Sequence, residues 1–193
     1  MSGYQRPDHF TKKAKAQGYA ARSVFKLEEM DERAKLLRPG MRVVDLGCFP
    51  GSWSRYVDEV IGDGVLVGVD LEEPKGIRGS FIARSVYEVS SAELREKLGG
   101  AADVVLSDMA PNTSGDRVGD HLRQIGLAER ALFLATELLR PGGAFVAKVF
   151  EGADSQKYVD EVKRLFTTVR RMKPEATRSR SVEFFVVATG FKG

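Results

Sequence analysis

Apolar and polar positions recur along the chain in two periods, and their order predicts an α/β fold. Short apolar runs rich in β-branched residues are typical of buried strands. They cover residues 43–46, 65–70, 81–84, 102–107, 144–150, 167–172 and 182–189. Apolar residues spaced by three and four predict helices over residues 21–37, 52–60, 91–98, 120–139 and 155–166. Strands that alternate with helices predict a doubly wound, mostly parallel seven-stranded sheet with helices on both faces.

Residues 1–20 lack such a period because glycine and proline interrupt it. We therefore expect a basic, loosely structured N-terminal segment, followed by a single domain over residues 21–193. The chain has no apolar run long enough to span a bilayer and no signal-peptide pattern, and its one cysteine, Cys48, excludes an internal disulfide. These features predict a cytoplasmic protein without a membrane partner, and the absence of heptads favours a monomer.

The segment over residues 43–53 is the part of the sequence that best indicates which class of ligand the protein binds. A strand ends at Asp45, Gly47 and Gly51 bracket a turn, and Ser52 is predicted to cap the next helix. A ligand that lies against the backbone requires glycine there, and we expect a positive φ in at least one of the two. The spacing is not G-x-G-x-x-G, so the loop lacks the pyrophosphate turn of a dinucleotide site, which disfavours a nicotinamide dehydrogenase.

Asp70 ends the next predicted strand. An acid in this place can accept hydrogen bonds from both hydroxyls of a ribose. A ribose-binding acid beside a glycine loop without a phosphate turn predicts a site for a nucleoside such as S-adenosylmethionine.

Positive charge is concentrated in two segments. Residues 1–26 hold six basic residues and one acid, and residues 163–180 hold seven and one, whereas the whole chain carries only +3. The first segment also contains aromatic side chains that can stack on unpaired bases, namely Tyr4, Phe10, Tyr19 and Phe25. Two basic segments on an acidic body predict that RNA binds on one face.

Three charged residues interrupt or end apolar strands. Asp108 follows one strand, and Lys148 and Glu183 lie within two others. Because an unpaired buried charge is costly, we expect them to pair at the sheet's carboxyl edge. The cluster is either an inert buried salt bridge or a group in which the lysine activates a nucleophile beside a methyl donor.

Four motifs resemble the FtsJ family of RNA ribose 2′-O-methyltransferases, with similarity from about residue 23 to the C-terminus. They are Asp45-Leu46-Gly47-x-x-Pro50-Gly51-x-Trp53-Ser54, Leu106-Ser107-Asp108-Met109-Ala110-Pro111-Asn112, Gly143-x-Phe145-Val146-x-Lys148-Val149-Phe150 and Arg180-Ser181-x-Glu183-x-x-Val186-Val187-Ala188-Thr189-Gly190. The resemblance implies a Rossmann-like, S-adenosylmethionine-dependent fold. It also implies a catalytic tetrad of Lys26, Asp108, Lys148 and Glu183.

The resemblance further implies which residues hold the methyl donor. The implied set is Asp45, Gly47, Gly51, Trp53, Asp70, Ser85 and Asp108. Ser85 stands where the family often has an acid near the adenine. No metal is implied, because displacement at a sulfonium requires none.

Compact bacterial members of that family methylate a uridine ribose in large-subunit ribosomal RNA. The resemblance therefore predicts the same reaction here, on the assembled 50S subunit. In this hypothesis Lys148 is the general base, Asp108 orients it, and Lys26 and Glu183 position the ribose. The alternatives are ribose methylation of transfer RNA and a non-catalytic RNA-binding ribosome-assembly factor. Nitrogen methylation is disfavoured, because the residues after Asp108 lack an Asn/Asp-Pro-Pro-aromatic motif.

Overall fold

The structure is a computed structural model that describes residues 9–112, 114–179 and 181–193. The strands are β1 (Arg42–Leu46), β2 (Val65–Asp70), β3 (Ser80–Ala83), β4 (Ala102–Ser107), β5 (Leu139–Phe150), β6 (Phe166–Met172) and β7 (Glu183–Phe191). The helices are α1 (His9–Ala16), α2 (Val24–Ala34), α3 (Ser52–Ile61), α4 (Ser91–Leu98), α5 (Arg117–Leu138) and α6 (Ser155–Leu165).

All seven strands form one sheet in the order β3-β2-β1-β4-β5-β7-β6. The pairs among β1 to β5 are parallel, whereas β7 runs antiparallel to both β5 and β6. This confirms the predicted doubly wound, mostly parallel sheet. The strand order reverses between β1 and β4, and in such sheets the crevice at the carboxyl edge beside the reversal is the usual ligand site.

The sheet buries an apolar cluster on each face, and consecutive strand residues contribute to opposite clusters. Val44 and Phe145 pack with side chains from α4, α5 and α6. Val43 and Val146 pack with side chains from α2 and α3. Helices therefore cover both faces, as the sequence predicted, and the near-continuous apolar runs follow from burial on both sides.

Residues 9–16 form helix α1, so the prediction of a loosely structured N-terminal segment is wrong for them. Ala14 is buried against Val24 and Phe25 at the start of α2. The folded part of the chain thus begins before the predicted domain boundary at residue 21. Residues 1–8 lie outside the described residues.

Within the described ranges, no helix is long and apolar enough to cross a membrane.

Two helix boundaries differ from the prediction for local reasons. Helix α2 ends at Ala34 because Lys35 adopts a left-handed conformation with φ of 54°. Leu36 and Leu37 remain buried in the following loop, so the apolar period runs beyond the helix. Helix α4 is capped by Ser90, whose side chain accepts a hydrogen bond from the amide of Glu93. Ser91, which the sequence predicts as the cap, is instead the first residue of the helix.

Helix α5 and strand β5 also start earlier than predicted. Asp116 accepts a hydrogen bond from the amide of Val118 and caps α5, which therefore starts at Arg117, three residues before the expected start. The buried face of α5 includes His121 and Gln124. Leu122 therefore points outward and is 55% exposed, although the apolar period of this helix predicts it as part of the core. Strand β5 begins at Leu139, five residues before the predicted start at residue 144.

Candidate active site

The loop between β1 and α3 needs its two glycines. Gly47 and Gly51 have φ of +82° and +106°, which confirms the expected positive φ. A Cβ on Gly47 would lie 2.9 Å from the amide nitrogen of Met109, and one on Gly51 would lie 2.6 Å from the side chain of Ile77. Gly51 itself is the N-cap of α3. The prediction that Ser52 caps this helix is wrong, because its Oγ accepts a hydrogen bond from the amide of residue 21.

A cleft of about 360 Å³ opens at the carboxyl ends of β1, β2 and β4. Four of the residues predicted to hold a nucleoside ligand line it: Gly47, Asp70, Ser85 and Asp108. Phe49 and Leu71 add exposed apolar surface to the same cleft. A polar floor with apolar walls at the switch point of the sheet has the composition expected of a small-molecule site.

The carboxylate of Asp70 is held in a fixed orientation. One oxygen accepts a hydrogen bond from the amide of Phe49 at 2.9 Å, and the other accepts one from the amide of Leu71 at 2.7 Å. A carboxylate oxygen has two lone-pair directions, so each can still accept a further bond. Both oxygens of Asp70 therefore keep the acceptor capacity that its predicted role in ribose binding requires.

Three of the predicted donor-binding residues do not line this cleft. Asp45 is fully buried at the end of β1. Gly51 lies behind the turn, against Pro74 and Ile77. Trp53 is buried, with its ring centroid 5.8 Å from that of Phe185, and its indole nitrogen donates a hydrogen bond to the carbonyl of Ser23 at 2.8 Å. Trp53 thus supports the start of α2.

Lys148 and Asp108 form one ion pair at the carboxyl edge. The Lys148 ammonium donates a hydrogen bond to the backbone carbonyl of Asp108 at 2.6 Å and lies 3.1 Å from Oδ1 of the same residue. The Lys148 side chain is only 9% exposed. The carbonyl and the carboxylate together compensate the buried charge, in agreement with the expected pairing.

Lys26 and Glu183 form a second ion pair, with a short hydrogen bond between Nζ and Oε1. In the antiparallel register Lys148 lies opposite Phe185, and Glu183 lies opposite Phe150, two residues further along β5. Lys148 and Glu183 are therefore diagonal neighbours on the same face of the sheet, at a Cα separation of about 7–8 Å. Lys26 Nζ also lies 5.5 Å from the centroid of the Phe185 ring. The four predicted tetrad residues thus form two ion pairs. The expectation that Glu183 pairs with Lys148 and Asp108 is wrong, because its carboxylate bonds to Lys26.

A second cleft, of about 490 Å³, lies on the side of Lys26 and Glu183 and is lined by arginines. Arg22 comes from the N-terminal basic segment and Arg178 from the C-terminal one. Partial burial lowers the pKa of Arg22, and the nearby Arg178 lowers it further, whereas Glu183 opposes the shift. Two guanidinium groups whose charges repel favour an anion between them.

Comparison with known proteins identifies the family. Residues 19–191 match the model of FtsJ-like methyltransferases. The chain belongs to this family. A protein named ribosomal RNA large subunit methyltransferase E from Desulfatibacillum aliphaticivorans is 46% identical over 190 residues, which cover 96% of this chain and 91% of the relative. A protein of the same name from Sorangium cellulosum is 51% identical over 188 residues, which cover 95% and 88%.

The fold of this methyltransferase also matches a solved structure. A crystal structure described as a ribosomal RNA methyltransferase from Plasmodium falciparum aligns with a TM-score of 0.80 at 25% sequence identity. The alignment covers 91% of this chain and all of the other. The family assignment makes the chain a methyltransferase, which acts with a methyl donor.

The residues at the end of β1 fit such a donor. Asp45 is fully buried, with Oδ2 accepting a hydrogen bond from Ser54 at 2.6 Å and Oδ1 without a partner among the described residues. Burial raises the pKa of Asp45 to about 7; Asp108 and Asp70 raise it as well, whereas the Ser54 hydrogen bond opposes the shift. An unpaired buried acceptor beside the glycine loop suits a positively charged ligand. The described residues contain no group of three His, Cys, Asp or Glu arranged to hold a metal ion.

Two parts of the site were missed by the sequence reasoning. Arg22 and Arg178 were counted as basic residues but not placed in one cleft, because their approach depends on contacts between α2 and the segment before β7. Gln124, on the buried face of α5, was not singled out. The sequence shows Gln124 only as a polar residue next to the apolar positions of the helix. This pattern is common and does not indicate a functional site by itself.

Proposed function

We propose that this methyltransferase transfers a methyl group from S-adenosylmethionine to the ribose 2′-hydroxyl of a uridine in large-subunit ribosomal RNA, in the assembled 50S subunit. The observation that carries the proposal is the position of the Lys148 and Asp108 pair. Asp108 lines the nucleoside-sized cleft, and Lys148 is a diagonal neighbour of Glu183, which lines the arginine cleft. A proton acceptor between two clefts suits a reaction between a donor in one and a hydroxyl in the other.

The donor cleft supports S-adenosylmethionine in three ways. Asp70 can accept from the ribose hydroxyls, and Ser85 can hydrogen-bond the base. Asp45 offers its unpaired oxygen to a positively charged group. When bound, this donor supplies a methyl group on a sulfonium, a good electrophile.

The chain's own residues then hold and deprotonate the acceptor. The Lys148 ammonium first releases a proton to solvent, and the neutral amine then takes the proton of the 2′-hydroxyl. Asp108 fixes the direction of the amine through its carbonyl and carboxylate. The Lys26 and Glu183 pair contacts the ribose from the other side, so that the hydroxyl oxygen faces the donor. Alignment of this kind supplies a large part of the rate enhancement in a displacement reaction.

The acceptor RNA is assigned from the second cleft and from the relatives. Arg22 and Arg178 can bind the phosphates next to the reacting nucleotide. The relatives with this architecture are named for the large ribosomal subunit. We further propose that the protein acts as a monomer in the cytoplasm.

The test is transfer of labelled methyl from S-adenosylmethionine to three RNA pools from cells that lack the protein. The pools are intact large ribosomal subunits, free ribosomal RNA and transfer RNA. Label in large-subunit RNA, strongest for the intact subunit, is the expected result. Label confined to transfer RNA would keep the chemistry and replace the substrate, whereas tight subunit binding without label would favour an assembly factor.

A further inference from the structure

Gln124 lies on α5 where the helix crosses the ends of β4 and β5. Its side chain is 1% exposed. Nε2 donates hydrogen bonds to the backbone carbonyl of Lys148 at 2.8 Å and to that of Met109 at 3.2 Å. Carbonyl oxygens only accept, so the amide nitrogen and not the amide oxygen must face them. The two partners therefore fix the orientation of the amide.

Both carbonyls belong to the backbone of the active site. Lys148 carries the amine that bonds to Asp108. Met109 follows Asp108, lines the donor cleft and packs against Gly47. A single side chain therefore links the strand end that bears the lysine to the loop that borders the methyl donor.

This link is kept at a cost in stability. Oε1 of Gln124 is buried and has no hydrogen-bond partner among the described residues. An unpaired buried acceptor loses its hydration without compensation. The neighbouring inner positions Ile125 and Ala128 are apolar and belong to the core. An apolar residue at position 124 would avoid this cost but would remove the bonds to the buried carbonyls of Lys148 and Met109, so the side chain is kept for these two bonds.

We propose that Gln124 is a positioning residue that holds the ends of β4 and β5 at the spacing at which the Lys148 amine meets Asp108 between the two clefts. This inference rests on the proposed function for the reaction that it serves. Without the two bonds the strand ends can separate, and the amine leaves the line between hydroxyl and methyl group. The arginine cleft is built by other elements, so RNA binding stays intact.

Gln124→Met tests the proposal, because methionine keeps the length of the side chain but donates no hydrogen bond. We expect kcat to fall about tenfold with an unchanged KM for RNA, because a displacement reaction is sensitive to small errors of alignment. Leu132→Met, at another buried position of α5, is the matched control and leaves kcat unchanged. A wild-type kcat for Gln124→Met, or an equal loss in both variants, would overturn the proposal.

Gln124→Glu provides a readout that a purely structural role would not change. A neutral carboxyl can donate one hydrogen bond to the two carbonyls, whereas an ionised one donates none and repels them. The ratio of variant to wild-type kcat should therefore rise as the pH falls. The titratable groups around position 124, His121, Lys148 and Asp108, are common to both proteins, so the ratio removes their contribution. A ratio that is constant with pH contradicts the proposal.

Hydrogen exchange separates this inference from the proposed function. In Gln124→Met, exchange of the backbone amides over residues 108–112 and 148–151 should accelerate, and in Leu132→Met it should not. This holds whether or not the wild-type protein labels ribosomal RNA. Unchanged exchange at both strand ends would reject the positioning role of Gln124. A wild-type protein that labels no RNA would reject only the proposed function.

Discussion

Buried charge is the feature of single residues that matters most in this methyltransferase. Lys148, Lys26 and Asp45 are each at least nine-tenths buried. The two lysines have acidic partners, whereas one oxygen of Asp45 has none among the described residues. Removing a partner from a buried pair is costly, and a buried carboxylate without a partner is a cost already present in the folded state.

Lys148→Ala tests the proton acceptor. We expect methyl transfer to fall between about 100- and 10,000-fold, the usual contribution of a general base. Donor affinity should stay within a few-fold of wild type, because Lys148 holds no part of the glycine loop. Steady-state transfer and calorimetric donor binding measure the two quantities. Lys157→Ala, at an exposed position of α6, is the control; near wild-type turnover of Lys148→Ala would reject the assignment.

Asp45→Asn should stabilise the protein and weaken donor binding. The pKa of Asp45 is about 7 in the folded state against 3.8 for an ordinary aspartate. The Asp45 carboxyl therefore binds its proton more tightly in the folded state than in the unfolded state. The stability that Asp45 contributes declines as the pH rises from about 4 to 7. Asparagine does not titrate and can still accept from Ser54, so the variant's advantage should grow across that window to roughly 4 kcal/mol.

Thermal melting and donor titration between pH 4 and 9 check this prediction. The difference in melting temperature should approach zero near pH 4 and level off above pH 7. A variant that is less stable than wild type at pH 8 would contradict the raised pKa of Asp45, and one that binds the donor as tightly would reject the role of Asp45 in donor binding.

At the level of single residues, the sequence predicted the composition of the tetrad but not its pairing. Asp108, Lys148 and Glu183 were expected to pair because burial of an isolated charge is costly, and Lys26 joined them only through the family resemblance. The pairing of Lys148 with Asp108, and of Lys26 with Glu183, depends on the register of β5 and β7 and on the position of α2. These are long-range contacts that no local pattern encodes.

At the level of elements, the connection between β1 and α3 controls the donor cleft. Its conformation combines a left-handed backbone at Gly47 with a close approach of Met109. The sequence predicted this element well, because glycine spacing after a buried strand reports directly on backbone geometry. Helix α1 was missed since its period is short and most of its residues are polar, so packing of Phe10 and Ala14 against α2 stabilises it.

Gly47→Ala and Gly40→Ala separate backbone strain from lost space. Gly40 has almost the same φ, +80° against +82°, but a Cβ there meets no described atom within 4 Å. Both variants should lose about 1 kcal/mol from the left-handed backbone. Only Gly47→Ala should abolish donor binding, because its Cβ displaces Met109. Chemical denaturation and donor titration measure both effects; equal donor affinity in the two variants would contradict the role of the close approach.

At the level of the whole molecule, the fold places the proposed donor cleft on the side of the Lys148–Asp108 pair and the arginine cleft on the side of the Lys26–Glu183 pair. The sequence predicted two basic segments and one RNA-binding face. It could not show that Arg22 and Arg178 line the same cleft as Lys26, because the two segments are more than 150 residues apart along the chain. The sheet brings them together through β7 and the packing of α2 on it.

Loss of the two arginines should weaken RNA binding through electrostatics. We expect Arg22→Gln combined with Arg178→Gln to lower the slope of log affinity against log salt by about 1.5, since each phosphate contact contributes about 0.7–0.9. Filter binding to the large subunit over a range of salt concentrations gives the slope. The charge-matched pair Lys97→Gln and Lys157→Gln, on α4 and α6, should leave it unchanged. Equal slopes in both double variants would place the RNA elsewhere.

The most direct test of the central claim is the chemical position of the transferred methyl group. Alkali cleaves RNA by attack of the 2′-hydroxyl on the neighbouring phosphate, so a 2′-O-methylated nucleotide survives within a dinucleotide. Large-subunit RNA is labelled with S-adenosylmethionine by the wild-type protein and by Lys148→Ala, then digested with alkali. The account predicts label in an alkali-stable dinucleotide that Lys148→Ala largely fails to produce. Label released as a mononucleotide would show methylation of a base and would contradict the account.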